Sequence, residues 1–592
     1  MAVESHRGLR LEVTSRPMSG RLVPGRPPRK IGRYLLGLPA ATLVLLLVTP
    51  MLRTLVWAFR EDGSWTLRHL VGVLADGATQ RALLHTLAWV GIAAGLVVVS
   101  FLLALASLRF ERWGTAFMGV LVLPFGISAL TSGAAFRLLY DPTPERGTVS
   151  ALAALVGESP VWLGPGLIWF VLVSAFAWTW LGFAVSLFRA GLRAIPEDVE
   201  RVGQAHGASW FQLLRIRIRL VLPVGALILL TLVVAAARLF DLILIVTPGP
   251  MRQEVDTAAV HWWRLTVQSP EPGRPAALAV VLFCLLGCCA LLLSHAIGRR
   301  RRMPRTPRPW WRERRSGHVR WWHVLLGVGV AAMWVFPVLV LVTTALQTPE
   351  DAGARGWWTV GQSGLSLASF RQIIDGGLLN SLWSTLVVAL GATSLLVVIA
   401  LLATPALSLR VPDWAGRLVV AVLTMLAVAP VQMYAIPLRD AFTSLGVVGS
   451  RLPLIVVHVA AGLPLAVLIL RAALLSSHRL SSHRPALDDV LLGQTGPLTA
   501  LRRLWDRAGA ALVAVAVMEF VQVWNDFIVS LFISGPGSSP LTIVLWGEAR
   551  QFATSAGTIA ASAVLAALVP VVVLLLVWRR WMVPGLTGGL LR

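Results

Sequence analysis

LRAIPEDVERVGQAHGASWFQLLRIRIRLVLP, residues 192–223, is a polar segment set between two long apolar runs. Pro196 fixes φ for the first turn of a helix, and Glu197 and Asp198 suit the positive end of its dipole. Val199 and Val202 then share one face, while Glu200, Arg201 and Gln204 stay polar. Gly207 permits a sharp change of direction, and Ser209 is placed to cap a second short helix. That second helix sets Trp210, Phe211, Leu214 and Ile218 against Arg215, Arg217 and Arg219. Two uses fit such a pair: lying flat on anionic lipid, or presenting an apolar face to another protein. Periodicity alone leaves both open.

Working outward, apolar runs of about 20 residues recur along the chain, each long enough to cross a hydrocarbon core of roughly 30 Å as a helix. They fall near 34–57, 84–108, 115–136, 166–188, 222–246 and 276–297. A second set lies near 324–346, 382–407, 418–436, 454–470, 508–533 and 559–577. The chain is 56% hydrophobic and 14% charged, with a mean hydropathy of +0.75, outside the range of soluble domains. The fold class is therefore all-α integral membrane, with about twelve spans.

A net charge of +24 raises the question of nucleic acid, but the arginines are dispersed over alternate loops, not gathered on one folded face. One side of the bilayer holds about three times as many Arg and Lys as the other, the positive-inside asymmetry. It puts both termini in the cytoplasm and the chain in the plasma membrane as a multi-pass protein. The basic arm before Tyr34 leads into an apolar run without a small-residue cleavage site, so the first span is read as uncleaved. Cys284, Cys288 and Cys289 share a single span, which suits small packed residues better than a metal site.

Residues 299–321 are rich in Arg and Pro and read as a cytoplasmic linker. They follow a cytoplasmic arm, 1–33, and a six-span domain, 34–298, and they precede a second six-span domain, 322–592. Six is even, so each half begins and ends on one side, as in a parallel tandem repeat. Weak self-similarity supports the duplication. Gly207 is followed by Phe240-Asp241-Leu242-Ile243 and then Thr247-Pro248-Gly249-Pro250, while Gly496 is followed by Trp524-Asn525-Asp526-Phe527-Ile528 and then Ser534-Gly535-Pro536. Both aspartates are placed in the outer part of their half's fifth span.

The opening segment resembles the EAA loop of ABC importer permeases, through Ile195-Pro196, Asp198, Gly207-Ala208-Ser209-Trp210 and the Leu222-Pro223 that opens the next span. It departs from that pattern at Arg201-Val202-Gly203 and at His206. The second half is more degenerate, keeping Pro485-Ala486-Leu487-Asp488-Asp489 and Gly496, which Pro497 follows; a proline there suits only a helix start. Phe136 to Asp141 and Phe240-Asp241-Leu242 are similar to the first permease of maltose-type carbohydrate importers. Asn380-Ser381-Leu382, Trp524 to Phe527 and the closing Arg580-Trp581-Met582-Val583-Pro584-Gly585-Leu586-Thr587-Gly588-Gly589 are similar to the second. The resemblance implies the type I importer permease fold, with two usually separate permeases fused in one chain.

It also implies the partners: an ABC ATPase dimer, an extracytoplasmic solute-binding protein and a sugar substrate. The coupling residues it assigns are Pro196, Asp198, Glu200, Gly207, Ala208, Trp210, Asp488, Asp489 and Gly496. The chain has a single lysine, Lys30, outside any Gly-x-x-x-x-Gly-Lys-Ser/Thr pattern, so it binds no ATP itself and the ATPase is a separate subunit. No catalytic or metal-ligating set is assigned. A secondary transporter of the major facilitator type is the main rival; a membrane enzyme would need clustered carboxylates or histidines at the surface. For the substrate pathway the candidates are Trp178, Trp180, Asp241, Trp524, Asn525 and Asp526, since sugars want aromatic platforms beside hydroxyl-pairing amides. Arg238 and Asp241, about a turn apart, are a candidate ion pair, and Glu519 and Asp526 a candidate common face.

Overall fold

A computed structural model of the chain describes residues 31–108, 114–195, 197–269, 271–299, 321–407, 413–478, 497–535, 537–550 and 556–587. The N-terminal arm, most of the 299–321 linker, Pro196, Asp488, Asp489, Gly496, Gly588 and Gly589 lie outside them. Among the described residues nine helices are long and apolar enough to cross a membrane: Gly37–Phe59, Gly77–Ser107, Ile168–Arg193, Trp210–Ala237, Gly273–His295, Gly327–Ala345, Leu378–Ala403, Leu452–Leu474 and Ala556–Val577. A bent pair, Phe117–Gly126 with Ala129–Leu139, and two shorter apolar helices, Trp414–Val428 and Ala508–Trp524, stand at the three remaining expected positions.

The third spans are the first place where the structure corrects the sequence. The third span of the first half is not one helix: it turns through 105° between its two parts. Pro124 sits in a 3-10 turn, Leu123–Gly126, and Ser128 starts the outer part by accepting the Thr131 N–H at 3.0 Å. A proline offers no N–H and clashes with the preceding turn, so the break falls beside it. The second half repeats the arrangement: the Asp413–Val428 helix ends before Pro430, a 3-10 turn covers Val431–Met433, and Ala435–Ser444 continues.

The fifth spans also depart from expectation. The first does not begin at Leu222-Pro223; the helix runs unbroken from Trp210 to Ala237 through Pro223, so the second amphipathic helix is the span's own polar extension. At the far end it stops, and Asp241–Val246 is a separate short helix. The second half matches: Pro497–Trp524, then Ile528–Ile533, with Pro497 at the helix start as expected. Asp241 and Asp526 therefore stand at breaks, not within a continuous span.

The two halves interlock. The first span packs against Leu378–Leu407 of the second half, and the second half's first helix, Trp321–Ala345, packs against Ala129–Leu139. Each sixth span reaches across to the other half's broken third span, Gly273–Arg299 to Asp413–Val428 and Ala556–Val577 to Leu123–Gly126. Close approach is allowed by small residues. A Cβ on Gly182 would lie 1.6 Å from the Leu121 carbonyl oxygen, so the fourth span touches the third backbone to backbone.

Candidate functional site

Two features have the geometry for function, one at each end of the fifth spans. The first is the loop joining spans four and five. Its first helix, Glu197–Ala205, ends in a Schellman turn: Gly207 N–H donates to Gln204 O and Ala208 N–H to Gly203 O, both at 2.9 Å. Gly207 has φ of +73°, a left-handed conformation that glycine adopts without penalty. The next helix begins with a capping box, the Ser209 backbone N–H donating to the Gln212 side chain at 2.7 Å while the Ser209 hydroxyl accepts the Gln212 N–H. The turn is thus fixed at both ends by local bonds. Yet Val202, Trp210 and Phe211 are 57%, 58% and 76% exposed, and the two rings meet edge to face at 5.0 Å. A rigid frame presents an uncovered apolar face. Asp198 is exposed on the first helix, which also carries Glu200.

The second feature is a seam between the halves. Breaking a helix inside lipid leaves carbonyls with no water to satisfy them. At the two third-span breaks the donor comes from the opposite half, whereas at the fifth-span breaks Thr257 and Thr542 donate to Leu239 O and Asp526 O of their own halves, both at 2.6 Å. Asn525 Nδ2 donates to Gly126 O at 3.0 Å, Arg238 Nη2 to Ala429 O at 3.0 Å, and the Thr54 hydroxyl to Met433 O at 2.8 Å. The expected pairing of Arg238 with Asp241 is thereby corrected: the guanidinium turns to the other half, beside the Tyr434 hydroxyl. Asn525→Ala should lower the stability of the detergent-solubilised protein by roughly 0.6–2 kcal/mol, read as a fall in melting temperature.

The repeat seen in sequence closes on itself here. Phe240 and Phe527 stack across the seam at 6.0 Å, bringing Asp241 and Asp526 within repelling range of one another. His458 Nε2 stands 3.8 Å from Asp526 Oδ2, and Ser530 N–H donates to the same oxygen at 3.0 Å. Glu519 packs against Gly462, one turn along from His458, so Glu519 and Asp526 do face the same neighbouring helix. The tryptophans are more committed than expected. Trp178 Nε1 donates to Trp334 O at 2.8 Å and Trp524 Nε1 to Ala566 O at 2.9 Å, both rings buried. Trp180 is partly buried and ringed by Phe125, Phe176 and Phe183. Tyr434 and His458 went unnoticed in the sequence; a histidine in an apolar span was the available signal.

On the same side of the bundle as the Asp241–Val246 helix, a cleft of about 280 Å³ is lined by Asp76, Thr79, Asp256, His261 and Arg264. Arg264 donates to His261 Nδ1 at 2.9 Å, and Nε2 lies 2.9 Å from the Thr79 hydroxyl, an arrangement that keeps the ring neutral. Burial, with Arg264 adding repulsion, pushes the imidazole down to about 4 from an ordinary 6.5. An unfolded chain then binds more protons than the folded one between those values, so this contribution to stability holds above pH 6.5 and is lost as pH falls towards 4. Thermal melts across that range should show it, and His261→Gln should flatten the dependence.

No family model matches the chain. The trehalose/maltose transport system permease protein MalF of Thermococcus litoralis is 27% identical over 274 residues, covering 43% of this chain and 90% of that protein. The osmoprotective compounds uptake permease protein GgtD of Synechocystis sp. is 27% identical over 269 residues, 44% of this chain and 88% of that protein. The probable ABC transporter permease protein y4fN of Sinorhizobium fredii is 26% identical over 530 residues, 85% of this chain and 88% of its own length. Among solved structures, a bacterial ABC transporter involved in the import of the acidic polysaccharide alginate aligns with a TM-score of 0.41 and 20% identity, over 46% of this chain and 97% of that one. Half-length relatives match about half of the chain, whereas y4fN spans both halves, and the secondary-transporter alternative finds no support in these relatives. The chain is a membrane permease, not an enzyme: a homologue of ABC transporter permeases with both permease units in one polypeptide.

Proposed function

We propose that the chain forms the whole translocation pathway of an ATP-driven importer for a sugar or a related small polar solute. The 192–223 loop, with Pro196, Asp198, Glu200, Gly207, Ala208 and Trp210, lies on the cytoplasmic side with both termini and docks on an ATPase subunit. The loop holding Asp488, Asp489 and Gly496 is its counterpart in the second half. An extracytoplasmic solute-binding protein delivers the solute to the opposite face. The observation that carries this reading is the uncovered Val202, Trp210 and Phe211 face on a turn locked by a Schellman motif and a capping box.

Because the second helix is continuous with the fifth span, a push on Trp210 is transmitted along one rigid rod to the seam at Arg238 and Asp241. ATP binding closes the ATPase pair, the loops follow, and the halves rock about that seam. Solute passes between them near Asp241, Asp526 and Trp180, while Trp178 and Asn525 hold the halves in register and Trp524 braces the second half internally. The chain itself binds no cofactor; ATP is used by the partner. Uptake into proteoliposomes carrying the chain, its ATPase and its binding protein tests this. Accumulation should require internal ATP and survive an uncoupler; accumulation that collapses with the proton gradient and ignores ATP would overturn it.

A further inference from the structure

Three arginines from distant parts of the chain converge where the two halves meet, on the side away from the 192–223 loop. Arg137 Nη1, on the outer part of the broken third span, donates to Ile245 O at 3.1 Å and reaches Ala549 O of the second half at 3.5 Å. Arg550 follows Ala549 directly, and Arg252 lies on the 3-10 turn Gly249–Glu254, within repelling range of both. Burial, with repulsion from Arg550 against the pull of Asp256, holds the Arg252 guanidinium below its ordinary value.

Of the surrounding carboxylates, Glu254 is exposed on the turn that carries Arg252, and three others are already engaged. Asp141 pairs with Arg146 at 3.3 Å, Asp256 pairs with Arg264, and Glu548 accepts from Thr558 at 2.9 Å. Arg252 Nε is buried with no acceptor among the described residues. Three like charges held together at a protein surface cost energy that a bound anion would return.

The cluster also leads somewhere. The Arg550 guanidinium lies over the Trp546 ring at 5.4 Å, Trp546 meets Phe527 at 5.6 Å, and Phe527 stacks on Phe240 at 6.0 Å. Ring contacts thus link the arginines, through the partly exposed Trp546, to the buried Phe527 and Phe240 of the seam. An aromatic face such as that of Trp546 suits the apolar face of a sugar ring, and guanidiniums suit its acidic substituent. We propose that Arg252 and Arg550, with Trp546, form an entry site selective for anionic sugars, those bearing a carboxylate or a phosphate. This rests on the importer reading and names its substrate class.

The permease in lipid nanodiscs, titrated with galacturonate, glucose 6-phosphate and galactose and followed by tryptophan fluorescence, gives the test. At least one of the two anionic sugars should bind about tenfold or more tightly than galactose. The galacturonate and glucose 6-phosphate arms show whether carboxylate or phosphate is preferred. Arg550→Gln and Arg252→Gln should each weaken anion binding about tenfold, while Arg550→Lys, which keeps the charge, should retain more of it. Equal binding of galactose, anion binding unchanged in both glutamine variants, or no anion binding at all would overturn the proposal. So would variants that weaken only docking of the solute-binding protein, since the cluster would then be a protein contact. Uptake of a neutral sugar at full rate without anion preference removes this inference and leaves the importer reading intact; loss of all ATP-driven uptake in the unmodified complex removes the importer reading.

Discussion

Gly207→Val should reduce ATP-driven uptake about tenfold or more while the protein still inserts and folds. Gly207 has φ of +73°, and nothing lies within 4 Å of where a Cβ would stand, so the penalty is conformational and not steric crowding. A left-handed backbone costs an ordinary L-residue about 1–2 kcal/mol, and a β-branched one more. The strain is relieved most readily by letting the Schellman turn open, which swings Val202 away from Trp210 and Phe211. A graded series sharpens the test: Asn, which tolerates this conformation, should be mildest, Ala intermediate and Val worst. Uptake and ATP hydrolysis measured together should diverge, with hydrolysis outlasting transport. A valine variant that transports normally would show that the turn's geometry does not carry coupling.

Gly182→Leu should abolish the folded permease altogether. A Cβ at this position would sit 1.6 Å from the Leu121 carbonyl oxygen and 3.0 Å from the Val122 nitrogen, which are backbone atoms of the third span just before its break. They cannot rotate away as a side-chain tip would. The cost of forcing the fourth and third spans apart should be about 3 kcal/mol or more, and Gly182→Ala should already destabilise. Fluorescence-detected gel filtration of membrane extracts reads this as loss of the monodisperse peak. An alanine variant with normal yield and melting temperature would mean that the two spans are not packed backbone to backbone.

Hydropathy located the spans because each apolar run has the length lipid demands, and the charge of the intervening loops divided them into two sixes. The breaks were less legible. Pro124 and Pro430 sit inside runs whose apolar character is uninterrupted, and a window average registers composition, not the missing N–H. Leu222-Pro223 misled in the opposite direction: it reads as a helix opening, yet the helix passes through Pro223, with Val221 and Val224 buried on either side and Leu222 exposed. The loop was the most legible piece of chemistry, since Gly207 and the Ser209 to Gln212 capping box are local devices written in adjacent residues.

The seam was half legible. The repeated Asp241 and Asp526 stood out in the sequence, but their meeting through Phe240 and Phe527 is a tertiary fact. Trp178 and Trp524 looked like sugar platforms because an indole is amphipathic; that their N–H groups are spent on Trp334 and Ala566 carbonyls depends on which helices are neighbours. The arginine cluster could not have been read at all. Arg137, Arg252 and Arg550 come from three separate segments, and only the interlocking of the halves places them together.

The central claim is that the exposed face of the 192–223 loop docks on an ATP-hydrolysing subunit. A photoreactive residue introduced at Phe211, irradiated in membranes containing the assembled transporter, tests it most directly, because that side chain is 76% exposed on a fixed turn. The expected result is a cross-link to the ATPase subunit whose yield changes with bound nucleotide. Cross-linking to lipid alone, unchanged by nucleotide, would contradict the account and return the loop to the membrane surface.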